Sequence, residues 1–256
     1  MEKRKINKRA ELTTAQLVGL LVLIASFVIL LILFFRLNLG EESNKEICHN
    51  SVLLKDKTGG FVGSLDCRTN YVCISGGDDC EDSFSSKVNV DPSNKDEIMK
   101  AIADEEVGCW WQFGEGKVNN YAGGVGDIAP TKVYCAVCSV IQFDKKVQEE
   151  VSKITYPEYY SYLSRTEKGD SQTYLQYLFK TSDPSSLRIN EHFGVVDINS
   201  DFFATKEKYS IITGIDSNAN NNNVDEGVLD NDLLGVYVIP TIETSDTGCT
   251  EFITKA

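Results

Sequence analysis

Cys135-Ala-Val-Cys138 is the spacing in this 256-residue chain with the most direct chemical meaning. Two thiols three residues apart at the start of a helix form a redox pair, because the helix dipole lowers a thiol pKa. With Cys109 and a fourth ligand the same thiols could hold zinc. Alternatively, each closes a structural bridge. The flanks Val133, Tyr134, Val140 and Ile141 favour a strand. In a strand, residues three apart lie about 10 Å from one another on opposite faces, beyond the roughly 7 Å that a disulfide tolerates. Cys135 and Cys138 are therefore expected to bond to different partners.

Other strings carry weaker chemistry. Asp216, Asn218 and Asn220 place oxygen ligands at alternate positions, and Asn222, Asp225 and Glu226 extend the set, as a calcium loop would. Asn221 stands where such a loop needs glycine, and Gly227 replaces the bidentate glutamate. The segment reads first as an Asn-rich hairpin loop between two strands, with calcium as its possible ligand. Trp110 and Trp111, in Trp110-Trp111-Gln-Phe113-Gly-Glu-Gly116, could stack on sugar, anchor a partner, or fill the core. Tyr156, Tyr159, Tyr160, Tyr162, Tyr174 and Tyr177 fall on two adjacent helical patterns and read as faces packed on the sheet, with an exposed aromatic binding face as the alternative. Only His49 and His192 are available as imidazole bases, and neither sits in a nucleophile motif. A non-enzymatic role is expected.

The elements that must position these groups begin with an anchor. Residues 12–36 form an apolar run whose uncharged part, Leu12–Phe35, has 24 residues. As a helix it would be about 36 Å long, enough for a hydrocarbon core of about 30 Å. Lys3, Arg4, Lys5, Lys8 and Arg9 precede it, which predicts a cytoplasmic tail at 1–11 and an exterior remainder. A polar stalk is expected at 37–47 and a cysteine-bearing domain at 48–256.

Within that domain, strands are expected at Ser51–Lys55, Tyr71–Ser75 and Phe84–Val90. A helix capped by Asp91-Pro92-Ser93-Asn94 follows, running to about Trp111. Lys132–Phe143 reads as a central strand. Helices follow at Lys145–Ile154, Pro157–Arg165 and Ser171–Lys180, and strands at Gly194–Ile198, Tyr209–Gly214 and Leu234–Ile242. The order implies an α+β domain with a largely antiparallel sheet.

Composition narrows the partners. The chain carries −13; six basic and two acidic side chains in residues 1–36 leave −17 for the rest. An acidic exterior disfavours nucleic acid. Cys48, Cys67, Cys73, Cys80, Cys109, Cys135, Cys138 and Cys249 all lie beyond the apolar run, as disulfides in an oxidising compartment would. Eight cysteines allow 105 pairings. The clustering of Cys67, Cys73 and Cys80 predicts a local staple, and Cys249 is expected to tie the C-terminal region back to the body.

Two resemblances follow from these residues. Lys8-Arg9-Ala10-Glu11-Leu12 resembles the processing site of archaeal type IV pilin-like precursors. That likeness implies cleavage between Ala10 and Glu11 and a helix that packs into a filament core, although Ala15 stands where many pilins carry glutamate. Cys109-Trp110-Trp111-x-Phe113-Gly-Glu-Gly116 with Tyr134-Cys135-Ala-Val-Cys138 resembles single-span proteins of small-genome archaea, which implies an archaeal cell surface and brings no activity. The expected function is a membrane-anchored, single-pass cell-surface protein with a structural or interaction role. Its partners would be lipid through residues 12–36 and a surface protein or glycan. The alternatives are a pilin-like filament subunit and an extracellular thiol-disulfide oxidoreductase.

Overall fold

The computed structural model describes residues 14–36, 39–58, 65–118, 133–169, 171–187, 202–216, 233–241, 249 and 251–254. The chain divides into two units, Met1–Glu42 and Ser43–Ala256. The first contains helix α1, Thr14–Arg36. Its stretch Gln16–Leu33 has a mean hydropathy of 2.9, and none of it is buried. The helix is long and apolar enough to cross a bilayer, as an anchor or as a secretion signal.

Helix α2, Leu39–Lys57, runs through the expected strand at Ser51–Lys55. The reason is visible in the pattern. Cys48 and Val52, one helical turn apart, are both buried, whereas a strand would have buried alternate residues.

The second unit is α+β. Its main sheet runs β2 (Ser86–Asn89), β1 (Asn70–Ser75), β3 (Val133–Phe143), β8 (Tyr209–Asp216) and β9 (Leu233–Pro240), and β10 (Glu251–Phe252) also pairs with β3. The sheet is mixed rather than largely antiparallel. β1 lies parallel to β2 and to β3, and β10 lies parallel to β3. β8 is antiparallel to β3 and to β9. Helix α3, Lys95–Gln112, lies in the connection between β2 and β3 and returns the chain to the end from which it started, which makes those strands parallel. β8 runs along one edge of β3, so β10 and β1 share its other edge: β10 pairs at Tyr134 and Cys135, and β1 takes over from Ser139.

Helix α3 starts as the sequence predicts. The Asn94 side chain accepts from the Asp96 amide, and Asp96 and Glu97 lie at the positive end of the helix. The helix packs against β3, β8 and β9 on one side and against α5 (Tyr156–Arg165) and α6 (Tyr174–Phe179) on another. Ile98, Ile102 and Cys109 are wholly buried; Ile102→Ala at such a site costs about 2–5 kcal/mol.

The expected helix at Lys145–Ile154 is shorter: α4 covers Lys145–Glu150, and Lys153–Thr155 forms β4, paired with β7 (Phe202–Ala204). The expected helix at Ser171–Lys180 is likewise reduced to α6, preceded by a small hairpin of β5 (Glu167–Gly169) and β6 (Gln172–Thr173). The expected strand at Gly194–Ile198 lies outside the described residues.

Candidate functional site

All eight cysteines are joined in four bridges. Cys73–Cys80 is the local staple expected from the clustered cysteines, while Cys67 reaches back to Cys48 on α2. Cys109–Cys138 ties α3 to β3 across a Cα separation of 5.5 Å. Cys135–Cys249 brings the C-terminal region to β3, as expected, across 5.7 Å. Cys135 and Cys138 thus bond to different partners. Strand alternation is not the full reason. Val137 pairs with Ile212 and Ser139 with Ile211, so Cys138 is the extra residue of a β-bulge. With Cys109, Cys135 and Cys138 all in bridges, neither the Cys135–Cys138 redox pair nor the zinc set exists in this state.

The two tryptophans separate. Trp110 is 1% exposed and belongs to the core, so it is not available to stack on a ligand. Trp111 is half-buried and stacks on His49, with ring centroids 4.1 Å apart. His49 Nδ1 donates to the Trp111 carbonyl at 2.6 Å, which fixes the imidazole orientation. Tyr156, Tyr159, Tyr160, Tyr162, Tyr174 and Tyr177 are all buried, consistent with packing faces.

Among the described residues, one recess lies on the sheet face turned away from α3. Val72 and Ile141, paired in register, are wholly buried, and Ser139 on the same side of β3 donates to Glu105 of α3. Alternation therefore places Tyr71, Val140 and Gln142 on the opposite face. With Asp82, Ser83, Lys208 and Thr241 they line a groove of about 470 Å³. The Cys73–Cys80 bridge pins the loop that carries Asp82 and Ser83. Lys208 pairs with Asp82, and Gln142 Nε2 donates to the Asp82 carbonyl at 3.2 Å. An aromatic face, an ion pair, an amide and two hydroxyls can hold a polar ligand by stacking and hydrogen bonding. Sequence reasoning missed this groove because its lining comes from five separated segments that only strand register brings together.

A second polar feature is internal. Glu105 and Glu106 of α3 are both buried. The Lys45 ammonium donates to Glu105 at 3.2 and 3.3 Å, and Ser139 Oγ donates at 2.8 Å. Glu106 accepts one short hydrogen bond from the Tyr159 hydroxyl. Its Oε1 has no hydrogen-bond partner among the described residues. Burial pushes the Glu106 carboxyl up to about 8, against the opposing pull of the Tyr159 hydroxyl. The same burial, with the Glu106 charge adding to it, raises Tyr159 and Tyr160 well above the ordinary phenol range.

Of the remaining candidate residues, Asp216 ends β8, which is antiparallel to β9, so the Asn-rich segment does connect two paired strands. Asn218, Asn220, Asn222, Asp225 and Glu226 lie outside the described residues, as do Ala10 and Glu11. Among the described residues no group of three or more His, Cys, Asp or Glu side chains is placed to hold a metal ion. No family model, curated protein or solved structure matches the chain.

Proposed function

We propose that this chain is a membrane-anchored cell-surface protein whose outer domain has a structural or interaction role. One contrast supports the reading: a helix whose apolar side chains are all exposed from Gln16 to Leu33 precedes a domain in which every cysteine is bridged. Apolar surface of that extent is stable in lipid and not in water. Four disulfides persist in an oxidising compartment. Among the described residues, the groove at Tyr71 and Lys208 offers a polar surface partner or glycan an aromatic ring, an amide and hydroxyls. Fractionation of cells expressing the chain tests the anchor. The protein should stay in the membrane pellet after alkaline carbonate and leave it in detergent. External protease should degrade the domain in intact cells. Release by carbonate overturns the anchor reading.

A pilin-like filament subunit is the second reading. The Lys8-Arg9-Ala10-Glu11-Leu12 junction directly ahead of the apolar run supports it. Intact mass decides between them: a chain beginning at Glu11 supports processing, and one beginning at Met1 removes it. The oxidoreductase reading is the least supported, because Cys135 and Cys138 are buried in separate bridges.

A further inference from the structure

We propose that Lys117, Lys168 and Lys180, gathered around Tyr177, form a binding site for an oxyanion: a phosphate or sulfate group, free or carried by an acidic surface polymer. The site is separate from the groove, and the inference stands whether or not α1 lies in a membrane.

Tyr177 is the centre of the arrangement. Lys168 Nζ sits over its ring, 3.7 Å from the centroid, and Lys180 Nζ lies 5.6 Å from it. Lys180 Nζ also donates to the Tyr177 carbonyl at 3.3 Å. The Tyr177 hydroxyl donates to Glu115 at 2.5 Å, and Lys117 Nζ donates to the other Glu115 oxygen at 2.6 Å. Both oxygens of that carboxylate are therefore engaged, and among the described residues three ammonium groups face one acid. Among the described residues no carboxylate lies within ion-pair distance of Lys168 or Lys180. All three lysines are exposed.

Such an excess of positive charge stands out in a chain whose net charge is −13. In the loop after β1, Asp78, Asp79, Glu81 and Asp82 pair with Lys146, Lys87, Lys145 and Lys208, one to one. Around Tyr177, by contrast, Lys117 pairs with Glu115, and among the described residues Lys168 and Lys180 have no carboxylate of their own. Burial lowers the Lys180 ammonium from its ordinary value; Glu115 opposes this, and the charges of Lys117 and Lys168 add to it. An arriving oxyanion would relieve that repulsion.

The backbone is held out of its ordinary range to make this arrangement. Among the described residues only Glu115, Ser171 and Lys180 are non-glycine residues with positive φ. Glu115 and Lys180 belong to the site, and Ser171 turns the hairpin that carries Lys168. Strain of this kind concentrates at binding sites.

The test titrates the full chain, in nonionic detergent, with sodium sulfate and with sodium phosphate. Sodium chloride at matched ionic strength is the control, and calorimetry is the readout. The expected result is saturable sulfate or phosphate binding. It should weaken at least tenfold in K168Q/K180Q and less than twofold in K145Q/K146Q, which alters the paired loop instead. K117Q changes a highly exposed side chain and should bind several-fold more weakly with unchanged circular dichroism, so loss of fold cannot explain the effect. Dextran sulfate against neutral dextran separates the sources. Binding per sulfate tenfold tighter than the free ion assigns the site to a polymer, and equal binding assigns it to the ion. No heat beyond the chloride control, or native-like binding by K168Q/K180Q, overturns the proposal.

Discussion

Helix α3 carries two buried carboxyls side by side, and its two flanks treat them in opposite ways. Towards α2 and β3, Glu105 meets the Lys45 ammonium and the Ser139 hydroxyl. Towards α5, Glu106 meets Tyr159, with Tyr160 on α5 and Tyr237 on β9 close enough to feel its charge. One flank provides an opposite charge and the other provides phenols. Burial therefore does not fix what a carboxyl does; the partner does. The Glu105 flank acts as an ionic staple between α2, α3 and β3. The Glu106 flank keeps a neutral acid inside an aromatic layer.

The largest expected effect is a pH dependence that belongs to Glu106 alone. Its folded-state value of about 8 lies above the ordinary 4.5. The folded chain then holds a proton that the unfolded chain releases. Stability from this group is complete below pH 4.5, falls as pH rises to 8, and levels off beyond. The full swing is on the order of 4–5 kcal/mol. Urea unfolding of the chain in detergent at pH 5, 7 and 9 should show the fall, and Glu106→Gln should flatten it and be the more stable form at pH 9. A native chain with equal stability at pH 5 and 9 breaks the contrast between the two flanks.

Glu105→Ala comes next. It removes the carboxylate that holds Lys45 in a mostly buried place and should cost about 3 kcal/mol at pH 7 in the same measurement. A loss under about 1 kcal/mol would show that the staple is only a surface pair. Tyr159→Phe deletes the one hydroxyl bonded to Glu106 and should cost about 1–2 kcal/mol. It should also displace the pH transition upwards, which a purely steric role for Tyr159 would not do. Ser139→Ala should have the smallest effect, about 1 kcal/mol, because the Lys45 ammonium remains on Glu105.

These partners were only partly legible in the sequence. The start of α3 was readable because capping is local: Asn94, Asp96 and Glu97 sit within four residues. β3 was readable from its run of β-formers. The α2 segment was misread because Val52-Leu53-Leu54 resembles a strand when its helical partner, Cys48, is ignored. Parallel pairing was missed although a helix between two strands is the mark of a crossover. Glu105 and Glu106 gave no signal, since acids on a helix usually face water and their partners Lys45, Ser139 and Tyr159 come from three distant segments. The bridge between Cys109 and Cys138 depends on a bulge, and one inserted residue resets the alternation on which any face assignment rests. The lysine site is similar: Lys117, Lys168 and Lys180 meet only because two helix ends and a hairpin converge on Tyr177.

The sharing of one β3 edge by β1 and β10 has a consequence in time. Cys135 and its partner are separated by 114 residues. In a chain made from its N-terminus at about 5–20 residues per second, Cys249 appears roughly 6–23 seconds after Cys135. Cys48–Cys67, Cys73–Cys80 and Cys109–Cys138 can all close within that interval, and Cys135 cannot. Until then it is the one thiol on β3 without its proper mate, next to Cys138. The segment carrying Cys249 and β10 thus acts as a late clasp, and Cys135 must stay uncommitted until it arrives.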